Sequence, residues 1–384
     1  MKKKCKLMIF PFILAMIMTL IPEKTAASIA VSAKSAIVME QSSGRILFEK
    51  DAHTQRRIAS ITKIMTAILA IESGKLDEIV EVSEAAIRTE GSSSYLIAGE
   101  KIKLEDLVYA LMLRSGNDAA VSIAENVGGS LDGFVYLMNQ KAEEIGMTNT
   151  YFANPHGLDD HENHLSTAYD MALLTRYAMK NEEYRKISGT EVHKTPHPTE
   201  KSGREWNNKN RLLEMYEYCT GGKTGYTKRA KRTLVTTATK AGMDLIAVTL
   251  DAQSSSDWND HIQMYESAYQ SYTIVEVLPK GSIKEVTKKF YKQKVYVKSG
   301  YFYPVGSKEK DLFHIEFKMM KPKQEWKEDK STPNIVGRAI IYLDNEKLAQ
   351  IPIYFKATEK KAKRTFFKQF RNQFTAIVGV KIDG

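Results

Sequence analysis

The sequence predicts an α/β domain over residues 28–275, a small all-β domain over residues 276–358 and a terminal helix over residues 359–384. Three observations carry this reading. Strand-like segments sit at both ends of the first region, with helical periodicity between them. Pro279-Lys280-Gly281 then marks a boundary. Beyond it, short alternating runs repeat between turns. With 384 residues, 43% of them hydrophobic, the chain can bury sizeable cores, which excludes a disordered or collagen-like protein. Two cysteines exclude a disulfide-dense scaffold and a cysteine-rich zinc module.

The chain opens with Lys2, Lys3, Lys4 and Lys6, an apolar run over residues 7–21, and Thr25-Ala26-Ala27. A basic start, a greasy middle and small residues before a cut describe a signal peptide spanning 1–27. Pro11 and Pro22 bound the run, which is short for a membrane span of ~20 residues. Export follows, and cleavage after Ala27 leaves one thiol, Cys219. The whole chain has 56 basic and 46 acidic residues, a net charge of +10, and loss of the leader lowers this to about +6. Such a balance favours an anionic neighbour but is too diffuse to imply nucleic acid.

Residues 35–40 and 45–49 read as strands joined by the turn Gln41-Ser42-Ser43-Gly44. Residues 59–71 have the apolar spacing of a buried helix, with Gly74 just past its end. A second helix covers 104–113 and breaks around Ser115-Gly116. Further helices follow over 118–127, 131–145 and 166–179. Strands are expected at 218–226, 232–240 and 245–250, then a helix at 257–272. The last segment places Phe366, Phe367, Phe370, Phe374, Ile377 and Val378 on one helical face after Lys360-Lys361-Ala362-Lys363-Arg364. A basic amphipathic helix suits the surface of an anionic bilayer. The alternative is a helix packed back on the β-domain.

Three short elements carry the chemistry: Ser60-Ile61-Thr62-Lys63 at a helix start, Ser115-Gly116-Asn117 at a helix break, and Lys223-Thr224-Gly225 in a strand. A serine hydroxyl is a weak nucleophile until a base takes its proton. Spaced i and i+3 on a helix, the Ser60 hydroxyl and Lys63 amine face the same way. A lysine serves as base only if burial or nearby cations lower its pKa, and Lys223 is the candidate neighbour. The Ser60 N–H at the helix start can face an oxyanion, with Tyr226 as the expected second donor. Each element alone is a weak signal. Their order, their structural contexts and the preceding leader together make a strong one, and this set is known from penicillin-binding proteins and class A β-lactamases.

The sequence resembles the low-molecular-mass penicillin-binding proteins, the serine-type D-alanyl-D-alanine carboxypeptidases. The stretches are Arg57-Ile58-Ala59-Ser60-Ile61-Thr62-Lys63-Ile64-Met65-Thr66, Met112-Leu113-Arg114-Ser115-Gly116-Asn117-Asp118-Ala119-Ala120, Asn154-Pro155-His156-Gly157-Leu158-Asp159, and Gly221-Gly222-Lys223-Thr224-Gly225-Tyr226-Thr227. Within the family it looks nearest to the sporulation-associated type of Bacillus relatives. The resemblance implies a penicillin-binding-protein-like transpeptidase fold, an antiparallel sheet with helices. It implies Ser60 as acylated nucleophile, Lys63 as its base and Ser115 as proton relay. Asn117 would hold the substrate amide, and Lys223 and Thr224 its terminal carboxylate. Gly225, Tyr226 and His156 would lie against the substrate. The implied partners are peptidoglycan stem peptides, with β-lactams as covalent inhibitors and no cofactor or metal.

One departure stands out: residues 251–261 contain no arginine, where many relatives carry one near the carboxylate site. Lys223 and Thr224 are then expected to act alone, or with Lys228 or Arg229. His156, Asp159, Asp160, His161, Glu162 and His164 match no zinc spacing and read as a loop beside the cleft. Alternation puts Cys219 on the strand face of Lys223, as a small buried hydrophobe or a thiol near the cleft. Trp206 and Tyr226 either wall the site or pack in the core. Among other functions, a class A β-lactamase lacks its E-x-x-x-N glutamate here, and a Ser-His-Asp hydrolase lacks G-x-S-x-G. A non-catalytic wall-binding scaffold would not need Ser60, Lys63, Asn117 and Lys223 together.

Overall fold

The computed structural model describes residues 29–328 and 332–356. The expected leader and terminal helix lie outside the described residues. The chain forms two compact units that divide between Thr273 and Ile274.

In the first unit, β1 (Ser35–Glu40) and β2 (Ile46–Lys50) form a hairpin. Two small hairpins follow, β3 (Ile79–Glu81) with β4 (Lys101–Lys103), and β5 (Val192–Thr195) with β6 (Arg204–Asn207). The strands β7 (Cys219–Thr227), β8 (Lys231–Lys240) and β9 (Met243–Ala252) join the first hairpin. Together they make an antiparallel sheet of order β2-β1-β9-β8-β7. Early and late strands thus share one sheet, as the sequence pattern predicts. The small hairpins were not anticipated. Strands of three or four residues, such as Lys101-Ile102-Lys103 with one buried side chain, are too short to show a period.

The helices longer than four residues are α1 (Lys63–Glu72), α2 (Leu104–Tyr109), α3 (Asn117–Gly128), α4 (Leu131–Ile145), α5 (Ala168–Ala178), α6 (Glu182–Gly189) and α7 (Asp257–Ser271). Every residue of α1 from Lys63 to Ile71 is buried, as in a central helix, and all but Lys63 and Thr66 are apolar. It packs against α3 and α5. Helix α5 lies against β1 and β9, while α7 packs on β8 and β9.

Two expected helices are broken where chemistry is expected. The segment before α1 is a 3₁₀ turn, Ala59–Thr62, rather than an α-helix. Ala59 sits at φ 49°, a left-handed conformation that costs a residue with a Cβ of order 1–3 kcal/mol. Thr62 Oγ1 steadies this turn by donating to Ala59 O at 2.8 Å. The expected helix over 104–113 is α-helical only to Tyr109, then widens into a π turn, Ala110–Arg114. Such turns free backbone groups and gather at functional sites. Here Leu113 O accepts from Lys209 N at 3.0 Å and Ala110 O from Ser94 Oγ at 3.3 Å. The turn ends with Ser115 at φ 65°, which reverses the chain into α3.

Strand β7 carries a bulge between Cys219 and Gly221. Lys223 pairs with Val235 but Cys219 with Ala238, so four residue steps on β7 match three on β8. An odd count on the partner strand puts Cys219 and Lys223 on opposite faces. The expectation of a shared face fails because simple alternation cannot register an inserted residue.

The second unit is all-β. Strands β10 (Tyr272–Leu278) and β13 (Tyr301–Gly306) pair. A five-stranded sheet has the order β11-β12-β16-β15-β14, with β11 (Gly281–Ser282), β12 (Val295–Val297), β14 (Phe313–Met319), β15 (Ile335–Leu343) and β16 (Glu346–Phe355). Its core gathers Tyr291, Val295, Val336, Ile341 and Ile353.

Candidate active site

The 3₁₀ turn, the π turn and β7 converge on one cleft of about 410 Å³, lined among others by Ser60, Ser115, Thr224, Gly225 and Tyr226. Lys63 Nζ is the hub. It donates to Ser60 Oγ at 3.0 Å, Asn117 Oδ1 at 2.7 Å and His156 O at 2.8 Å. Lys63 is fully buried. Burial drives its pKa well below the usual 10.5, Lys223 and Lys209 push the same way, and Asp118 opposes them. Lys223 is 1% exposed and donates to Thr224 O at 3.0 Å. Burial, helped by Lys209, brings its pKa down to about 7. A neutral amine touching a serine hydroxyl can take that proton, which is what nucleophilic attack requires.

Glycines let the elements approach. Gly157 has φ +86°, and a Cβ there would lie 2.0 Å from Ala59 O, so the loop after Pro155 can underlie the strained turn only as glycine. A Cβ on Gly225 would lie 2.9 Å from Ser60 N and 2.3 Å from Thr233 Oγ1, so glycine leaves the approach to the Ser60 N–H open. Asn117 is fixed by its Nδ2 donating to Glu90 O and its N–H to Ser92 O. Asp118, 2% exposed, accepts from Ser93 Oγ and the N–H groups of Ser94 and Leu96, and so ties this wall of the cleft to α3.

The structure therefore brings Ser60, Lys63, Ser115, Asn117, Lys223, Thr224, Gly225 and Tyr226 together. His156 differs from expectation. It touches the site through its carbonyl, and its buried ring accepts from Leu158 N at 3.2 Å rather than lining the cleft. Burial lowers its pKa to about 3. Three neighbouring side chains are engaged elsewhere. His164 Nε2 lies 2.8 Å from Thr62 Oγ1, Asp160 accepts from Asn154, and Glu162 receives both Arg57 and Arg229. Arg229 is thereby held at that exposed ion pair and does not line the cleft. Trp206, 2% exposed, packs beside His193 instead of walling the site. The Cys219 thiol lies on the α7 face of the sheet, away from Lys223, and burial raises its pKa to about 11. That assigns it to packing.

Sequence reasoning missed Ser92, Lys209, Arg211, Arg232, Ser255 and Trp258, all of which line the cleft. Ser92, Lys209, Arg211 and Ser255 come from loops, Arg232 from the start of β8 and Trp258 from the first turn of α7, and no local pattern marks them.

A strained serine turn, a buried lysine at hydrogen-bond distance and a second lysine on an edge strand, set between a five-stranded sheet and a helical layer, define a serine-type acyl-transfer hydrolase. The match to known proteins is specific. Residues 22–254 match the D-alanyl-D-alanine carboxypeptidase family, peptidase S11, and the chain belongs to it. It is a serine-type D-Ala-D-Ala carboxypeptidase with a penicillin-binding-protein-like fold and an all-β second unit. It is 33% identical over 364 residues to D-alanyl-D-alanine carboxypeptidase DacF of Bacillus subtilis, covering 92% of each chain. It is 37% identical over 259 residues to DacC of Escherichia coli, covering 64% of this chain and 62% of the relative. The crystal structure of DacD from Francisella tularensis superposes with a TM-score of 0.64 at 27% identity, covering 86% of this chain and 94% of that one.

Proposed function

We propose that the protein removes the terminal D-alanine from peptidoglycan stem peptides through an acyl-enzyme on Ser60, and that β-lactams arrest it by acylating the same hydroxyl. The observation that carries this reading is the fully buried Lys63 amine 3.0 Å from Ser60 Oγ. Lys63 acts as base, Ser115 relays the proton to the leaving amine, Asn117 holds the substrate amide, and Lys223 supplies the field that keeps Lys63 neutral. The enzyme works outside the cytoplasmic membrane, in cell-wall or spore-cortex maturation. The leader pattern and the resemblance to sporulation-associated carboxypeptidases support that setting. The test is to incubate purified protein with a fluorescent penicillin and to assay D-alanine released from a stem-peptide mimic. Covalent label and release are both expected, and absence of both overturns the proposal.

The basic amphipathic segment over 359–384 is the proposed peripheral anchor. Each basic residue near an anionic surface contributes roughly 1 kcal/mol, screened by salt. A fully buried Phe adds about 1.5–3 kcal/mol, and less when partly inserted. Deleting residues 360–384 is expected to release the enzyme from vesicles rich in anionic lipid while leaving its acylation rate intact. A truncated protein that still sediments with the vesicles refutes the anchor.

A further inference from the structure

Besides the buried Lys63 and Lys223 beneath it, the cleft is lined by three cations, Lys209, Arg211 and Arg232. Among the described residues, the side chains of Lys209 and Arg211 make no hydrogen bond or ion pair, whereas Arg232 is built in. Its Nε donates to both oxygens of Asp257, at 2.9 and 3.0 Å. Asp257 is itself buried in the first turn of α7, so the anchor belongs to the body of the unit. The guanidinium also lies over the Trp258 ring, 5.7 Å from its centroid. Held this way, Nη1 and Nη2 have no partner among the described residues, and the Arg232 side chain stays 31% exposed.

Register places this fork beside the substrate strand. Arg232 pairs directly with Tyr226, and Thr224 lies two residues back on the same face of β7. A diagonal neighbour at that spacing is within reach of a long side chain. Lys223, by contrast, projects to the other face, where it is buried and hydrogen-bonded to Thr224 O. An arginine locked at Nε offers two parallel N–H donors in a plane, the match for one carboxylate.

We propose that Arg232 reads the free C-terminal carboxylate of the substrate, with Asp257 and Trp258 positioning its guanidinium. This rests on the stem-peptide reading above and adds a specificity to it. A chain that ends at the second D-alanine places an anion against the fork. A cross-linked or extended chain places a neutral amide there, so the site favours trimming of free ends over cleavage inside a peptide. Arg232 also explains how the cleft manages without an arginine in residues 251–261. The cation enters from β8, and Trp258 of that segment supports it.

The test compares kcat/KM for a stem-peptide mimic ending in D-Ala-D-Ala carboxylate with kcat/KM for the same peptide ending in carboxamide. The wild type is expected to prefer the acid. In Arg232→Gln the acid-to-amide ratio should fall roughly 10–100-fold, the size of a lost hydrogen bond to a charged group. Arg232→Lys should restore part of it, since it keeps the charge without the fork. Asp257→Asn should lower the ratio less than Arg232→Gln does. Both substrates are assayed on one preparation, so loss of folded protein cancels from the ratio. An unchanged ratio in Arg232→Gln, or a ratio that collapses instead in Arg211→Gln or Lys209→Gln, overturns the assignment. An unlabelled, inactive wild type instead sinks the functional reading and this assignment with it.

Discussion

Ser60→Ala is expected to abolish both penicillin labelling and D-alanine release. Among the described residues, Ser60 is the hydroxyl that touches the buried Lys63 amine. Ser115 and Thr224 also line the cleft, but among the described residues neither hydroxyl has a hydrogen bond to a basic side chain. The variant should fold, because the turn is held by groups the change leaves in place. Thr62 Oγ1 still donates to Ala59 O, and Thr233 Oγ1 to Ile58 O at 2.9 Å. Mass spectrometry of the protein after exposure to penicillin reads the outcome directly. A covalent adduct on folded Ser60→Ala would move the nucleophile elsewhere.

Lys63→Ala should lower the acylation rate by ~10²–10⁴-fold, the usual contribution of a general base. The wild-type pH profile provides a separate check. Burial first, then the charges of Lys223 and Lys209, hold the Lys63 pKa below 10.5. The neutral amine is the base, so the acylation rate should rise with pH as Lys63 loses its proton, along a limb that lies below 10.5. Lys223→Gln removes a charge that disfavours protonated Lys63. Lys63 then keeps its proton to higher pH, and the limb should move in the alkaline direction. A rate that is flat from about pH 6 to 10 would argue against a lysine base.

Much of this site was legible in the sequence because its chemistry is written in short local words. Ser60 and Lys63 are three residues apart, Ser115 and Asn117 two, and Lys223 and Thr224 adjacent, so backbone geometry alone brings each pair together. What the sequence hid depends on contacts between distant segments. The left-handed Ala59 is imposed from outside its own turn, since Gly157 lies against Ala59 O and His164 against Thr62. The π turn after Tyr109 exists because Ser94 and Lys209 take up the carbonyls it frees. Arg232 is chosen by a register between strands and by a carboxylate 25 residues away. Cys219 shows the limit of period-two reasoning, since one bulged residue reversed its face. The sheet was easier. Its long strands are bounded by turn residues, and α1 is apolar from Ala67 to Ile71 and buried over nine residues.

The position of β7 at the end of its sheet has a consequence for how the protein behaves at high concentration. A strand with one unpaired side is an invitation to any other extended chain, including the same strand of a second copy. A β7 nine residues long and open throughout would be an aggregation hazard. Its two ends are guarded. Gly189 comes so close that a Cβ on it would lie 2.6 Å from Thr220 O, Ser188 and Gly189 pack on Gly221, and the Ala59–Ser60 turn packs on Gly225. The bulge at Cys219 adds twist that a flat partner strand cannot follow. A second copy seeking a long ladder would have to displace α6 and the serine turn together, whereas a short peptide needs only the stretch between them. The same packing that builds the cleft thus admits a few residues and discourages self-association.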